Sequence, residues 1–202
     1  MASKIVYRVV AAVIAACTFP IAVFSPLIRI VADPIIGEAY IYYNASFYGV
    51  YKMFFAKGSG FNGFAEGAEI SDALRGQLPY LTATGVCLGL LLLSSLAIII
   101  FAAVSNKRAV ILGLSVFGFG LIIAMFVLFG KFAAPFTDGT ISLGDLGLIE
   151  SGILKSILSM AMSIKVLQLT TGVFMFAFIY IALLMWTAAF MLTETGDKKQ
   201  KA

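Results

Sequence analysis

The most site-like polar group in this chain is Gln168, Thr170 and Thr171, gathered near one end of a 28-residue stretch without charge. An amide and two hydroxyls can hold a polar ligand or satisfy a neighbouring backbone, but none of them is a base or a strong nucleophile. The remaining reactive side chains are scattered. Cys17 and Cys87 are single residues in separate apolar stretches, without the paired spacing of a redox or zinc site, and read as small packing residues. Glu66, Glu69, Asp72 and Arg75 have the spacing of a solvated helix face, and an enzyme would have to bring them together with distant tyrosines. Histidine is absent from all 202 residues, which removes the usual haem ligand and general base. The serines Ser94, Ser95 and Ser115 have no recognisable activating base. The residues therefore suggest no enzyme, no cofactor and no metal site.

A composition that is 61% hydrophobic and 12% charged, with a mean hydropathy of +1.04, is that of a membrane protein. A bilayer core of about 30 Å needs roughly 20 apolar residues in helical form. Charge-free intervals of that length separate Arg8 from Arg29, Arg75 from Lys107, Arg108 from Lys131 and Lys165 from Glu194. They predict spans at about 6–31, 79–104, 109–131 and 166–192, joined by connections at about 32–78 and 132–165. Runs such as LGLLLLSSLAIIIFAAV lack the alternation of barrel strands. The predicted fold is thus an all-α integral membrane protein, a single four-transmembrane-helix bundle with two amphipathic helical segments on its outer side.

Charge sets the expected orientation, because short cytoplasmic segments carry the excess of Lys and Arg. Lys4, Arg8, Lys107, Arg108, Lys198, Lys199 and Lys201 face only Glu194 and Asp197 on one side, whereas the two longer connections are slightly acidic. Both termini are expected to be cytoplasmic in a multi-pass protein of the cell membrane. The overall charge of +4 reflects this asymmetry and does not suggest nucleic-acid binding. The stretch IAAC, Ile14 to Cys17, has the small-residue pattern that precedes a lipidated cysteine, but the apolar run continues through TFPIAVFSPLIRIV, which favours an uncleaved first span.

The segment Tyr40 to Phe64 holds five of the eight tyrosines. Tyr40, Tyr43, Phe47, Tyr51 and Phe54 recur every three or four residues and predict an interfacial amphipathic helix over 36–56, with tyrosine hydroxyls wet and rings among acyl chains. Together with Gln168 and Thr171 they form the candidate interface or ligand surface. Asn44 opens the sequon NAS, but its place beside the aromatic face makes a chance match the preferred reading. A shorter helix is expected over 66–78, and a second surface helix starting near Ser142 and Asp145 and reaching the fourth span near Lys165.

Helix packing has its own signals. The four residues SNKR, Ser105 to Arg108, make the second and third spans antiparallel neighbours. Gly85 and Gly89 form a GxxxG pair, with Gly113 continuing the small-residue pattern in the third span, which suits close helix approach within the chain or between chains. Pro20 and Pro26 should bend the end of the first span.

The order of four spans with two outer connections, the first longer, is similar to that of claudin-like proteins. The tryptophan and paired cysteines expected in a claudin's outer connection have no counterpart, since the only tryptophan, Trp186, lies inside the fourth span. The similarity implies architecture alone. The function expected is that of a non-enzymatic scaffold or accessory subunit, working in the lipid bilayer with another membrane protein or by self-association. The alternative is a transport or channel subunit for an apolar or lipid-like solute.

Overall fold

A computed structural model describes residues 2–34, 41–46, 72–105, 107–141 and 162–199. In order, these form α1 (Ala2–Ala16), α2 (Thr18–Phe24), β1 (Pro26–Pro34), β2 (Ile41–Ser46), α3 (Asp72–Val104), α4 (Arg108–Thr137), β3 (Met162–Leu169) and α5 (Thr171–Lys199). Most of the described chain is helical. Ile5–Phe24, Arg75–Val104, Arg108–Thr137 and Thr171–Thr193 are long and apolar enough to cross a membrane. Large apolar side chains stand outward on them, including Val13, Leu93, Val127 and Phe178. That is the pattern of helices whose solvent is lipid.

The first span is made of α1 and α2 in succession. Pro20 has no amide hydrogen to return to the Ala16 carbonyl, and the break at Cys17 falls beside that missing bond. The neighbouring bonds, Cys17 N to Val13 O (3.2 Å) and Ile21 N to Cys17 O (3.5 Å), carry the helix across it. Pro26 acts more strongly, ending the helix at Phe24 instead of bending it. Proline disfavours helical geometry at the residue before it and cannot donate to the preceding turn.

The span expected to reach residue 31 therefore gives way to strand β1, and the fold is not all-α. β1 is the middle of a three-stranded antiparallel sheet of order β2-β1-β3. Ile28, Ile30 and Val31 oppose Ala45, Tyr43 and Tyr42 on β2, and Leu169, Leu167 and Val166 on β3. Three further expectations are corrected here. Residues 41–46 of the proposed amphipathic helix are strand β2, rich in residues that suit a pleated surface. Residues 162–165, assigned to the second surface helix, and 166–169, assigned to the fourth span, are strand β3. The other parts of both surface helices, 36–40, 47–56 and 142–161, lie outside the described residues, as do Glu66, Glu69 and the first part of the helix expected over 66–78. Its remaining part is continuous with the second span in α3.

The fourth span begins after Thr170, and the third runs on to Thr137. α4 stops where Gly139 adopts a φ of 75°, a left-handed turn that glycine enters without strain. The Ile141 amide then returns to the Pro135 carbonyl at 2.9 Å.

The chain divides into two compact units, one of Met1–Ile21, Val86–Met125 and Val173–Ala202, the other of Ala22–Gly85 and Phe126–Gly172. The first has Tyr7, Ala11, Leu91, Ile98, Ile111, Phe176, Tyr180 and Leu183 in its interior. The second buries Leu27, Val31, Phe129, Phe132, Phe136 and Leu169, with the three phenylalanine rings 5.3–5.6 Å apart in sequence.

In the second unit the Thr170 amide bonds the Leu27 carbonyl at 3.0 Å, extending the pairing of β3 with β1 to the foot of α5. A Cβ at Gly172 would lie 2.8 Å from both the Pro26 carbonyl oxygen and Leu27 Cδ2. The side chain can swing away, but the backbone oxygen cannot. Gly172→Ala is expected to destabilise the protein by about 1–3 kcal/mol, the range for overpacking. Thermal unfolding in detergent checks this, with Gly76→Ala, where no described residue lies within 4 Å, as the control that should be neutral or stabilising.

Candidate functional site

In the sheet-containing unit, strand pairing builds a polar row from residues distant in sequence. Arg29 on β1 stands opposite Asn44 on β2 and Gln168 on β3. Its Nε donates to Asn44 Oδ1 at 3.2 Å. The asparagine of the sequon is thus a cross-strand partner of an arginine, and Asn44 and Gln168 are both exposed. Amides flanking a guanidinium offer hydrogen bonds to a carboxylate, a phosphate or a polar peptide edge. Tyr43 lies one position along, opposite Ile30.

Of the proposed ligand surface, the sheet therefore brings Tyr43 and Gln168 onto adjacent rungs. Thr171 is the first residue of α5, exposed, with its hydroxyl 3.4 Å from that of Thr170. Tyr40, Phe47, Tyr51 and Phe54 lie outside the described residues.

The helical unit holds a second polar set, entirely enclosed. Tyr180 of α5 is fully buried and donates to the Leu91 carbonyl of α3 at 2.9 Å. Its hydroxyl is 2.8 Å from Ser95 Oγ, and Ser95 donates to Thr18 Oγ1 at 3.1 Å. Ser94 donates to the Leu114 carbonyl of α4 at 3.1 Å, so α3 and α4 touch as their short connection requires. Ser115 instead bonds the carbonyl four residues back in its own helix, as Thr84 does in the sheet-containing unit. Gly118 makes room for the Tyr180 ring, because any side chain there would overlap it. The hydroxyls of Tyr180, Ser95 and Ser94 thus bridge helices.

Two arginines complete this unit. Arg8 of α1 donates from Nε to the Ala102 carbonyl at 2.5 Å and from Nη2 to the Ala103 carbonyl, holding the last turn of α3. A cation beside helix-end carbonyls is favoured by the helix dipole. Arg108 is buried, donates to the Phe190 carbonyl at 2.9 Å, and sits 4.9 Å from the Tyr7 ring centre and 5.6 Å from that of Phe190. Trp186 stacks on Phe190 at 4.9 Å and donates to the Tyr7 carbonyl at 3.3 Å. Sequence alone assigned Arg108 to a charged turn, and nothing in SNKR separates it from its exposed neighbour Lys107.

Gly85, Gly89 and Gly113 are all exposed, and no described residue lies within 4 Å of a Cβ built on any of them. Among the described residues, the glycines in tight contact are Gly118 and Gly172. Cys17 and Cys87 are free thiols, and no group of three or more metal-binding side chains occurs among the described residues.

No protein-family model matches this chain, and no curated protein and no solved structure does so either. The similarity to claudin-like proteins thus rests on the order of spans and connections alone.

Removing the Tyr180 hydroxyl tests the enclosed network. Tyr180→Phe keeps the ring that fills the space over Gly118 and leaves Ser95 and the Leu91 carbonyl without it. The expected loss is about 0.6–1.7 kcal/mol, as for interhelical hydrogen bonds in membranes. Reversible unfolding in mixed micelles reads it, and Ser95→Ala paired with Tyr180→Phe should lose less than the sum of the single changes.

Proposed function

We propose that this chain is a non-enzymatic, multi-pass membrane protein that serves as a scaffold or accessory subunit of a membrane complex, or assembles with itself. The observation that carries the reading is the open face of α3 at Gly85 and Gly89. A GxxxG pair lets helix backbones approach closely where lipid gives no hydrophobic drive to associate. Among the described residues no side chain occupies that approach. A helix from another membrane protein, or from a second copy, is the occupant such a face suits.

The excess of basic residues near both termini and the α3–α4 connection supports cytoplasmic termini in a cell membrane, with the sheet on the outside. In that orientation the Asn44, Arg29 and Gln168 row would be offered to the extracytoplasmic part of the same partner. The four spans would form the bundle that holds the two contact surfaces.

Gentle solubilisation of the tagged protein from its own membrane should yield a complex containing either a reproducible foreign subunit or several copies of this chain. Gly85→Leu should strip that association and leave a helical, monodisperse protein. A wild-type protein that is a partner-free monomer with intrinsic turnover would contradict the proposal. Solute flux through the purified protein in liposomes would favour the transport alternative.

A further inference from the structure

In the helical unit, α1 and the end of α3 enclose a groove of about 380 Å³. Ile5, Val9, Ala12 and Val13 of α1 and Ala102 and Ala103 of α3 line it, and Arg8 is its one charged residue among the described residues. The volume lies within the range of about 300–1,000 Å³ usual for small-molecule sites. We propose that this groove binds one anionic phospholipid, with an acyl chain along the apolar wall and the phosphate at Arg8.

The position of the groove selects the occupant. Both helices belong to segments long and apolar enough to cross a membrane, and Ile5, Val9 and Val13 are more than half exposed. In a bilayer those side chains meet hydrocarbon, so the molecule that fills the space beside them is a lipid. Arg8 lies about one helical turn inside the Ile5 end of the first span, close to the depth where lipid phosphates begin.

Charge complementarity selects the headgroup. Arg8 is held in place by its bonds to the Ala102 and Ala103 carbonyls, which use two of the five guanidinium N–H donors. Among the described residues nothing else bonds it, and the other three donors suit a phosphate, the anion whose geometry a fixed guanidinium suits best. The partial negative charge of the α3 end offsets about half of one positive charge. Exposed Lys107, three residues beyond the end of α3, adds to the attraction for an anionic surface.

The occupant is independent of the proposed partner at Gly85 and Gly89, so either reading can fail without the other. The test uses the full-length protein in micelles supplied with equal amounts of phosphatidylglycerol and phosphatidylcholine carrying identical acyl chains. Native mass spectrometry counts the lipids that remain bound. Wild-type protein should retain phosphatidylglycerol in preference to phosphatidylcholine. Arg8→Gln should reduce that preference by about fivefold, the effect of one basic residue at an anionic surface. Ala12→Leu, which fills the groove without touching charge or the α3 cap, should reduce retention of both lipids.

Equal retention of the two lipids by wild-type protein would overturn the proposal, and so would an Ala12→Leu variant that binds as wild type does. These two results stand even if Arg8→Gln fails to fold.

Discussion

A proline nitrogen carries no hydrogen, and at residue 26 that fact separates the helix that ends at Phe24 from the strand that follows it. A helix crossing a bilayer must satisfy its backbone internally, so a break is tolerated only near an end or where another element supplies the missing bonds. Pro26 lies two residues beyond the first span, whose 20 residues are already long enough to cross. The next residues form the central strand, with β2 on one side and β3 on the other. The same turn brings the Pro26 carbonyl against Gly172 and the Leu27 carbonyl onto the Thr170 amide. One missing donor thus sets where the first span stops, where the sheet starts and which residue must be a glycine at the start of the fourth span.

Polar side chains on the helices follow a second rule. In apolar surroundings a hydroxyl or guanidinium without a partner costs several kcal/mol, so each tends to be bonded to a carbonyl or to another polar side chain. Tyr180, Ser94, Arg8 and Arg108 each donate to a carbonyl of a different helix. Their bonds join α1, α3, α4 and α5 within the helical unit through groups that lipid cannot replace. Outward-facing Phe178, Met185 and Leu192 need no such partners.

The four spans were legible because a charge-free interval of 20 or more residues has few other meanings in a chain this apolar. The short connection between α3 and α4 was legible for the same reason, and the contact through Ser94 agrees with it. The strands were hidden. LIRIVA reads as the tail of an apolar helix, and short apolar runs do not distinguish helix from strand by period.

β3 changes the phase of its alternation between Val166 and Leu167, which obscures a pattern that Ser163 and Lys165 begin. Its bonding partner is more than 120 residues away, beyond any local signal. The aromatic spacing around Tyr43 favoured a helix because rings at three and four residues also occur by chance in a segment so rich in them. Close approach at Gly118 and Gly172 depends on the ring of Tyr180 and a carbonyl of Pro26, neither of which a GxxxG search considers. Gln168 was read as part of a polar group near the end of the fourth span, and its place on β3 opposite Arg29 required the register.

That register is the most direct test of the account. Cysteines replacing Ile30 and Leu167, a facing pair, should form a disulfide under mild oxidation, since opposed residues in an antiparallel pair lie about 4.5–5.5 Å apart at Cα. Cysteines replacing Ile30 and Ile164 should not, because Ile164 faces Ala32. Rapid crosslinking of the first pair alone, in the full-length protein in its membrane, is the result the antiparallel sheet requires. Crosslinking of the second pair in preference to the first would contradict that register.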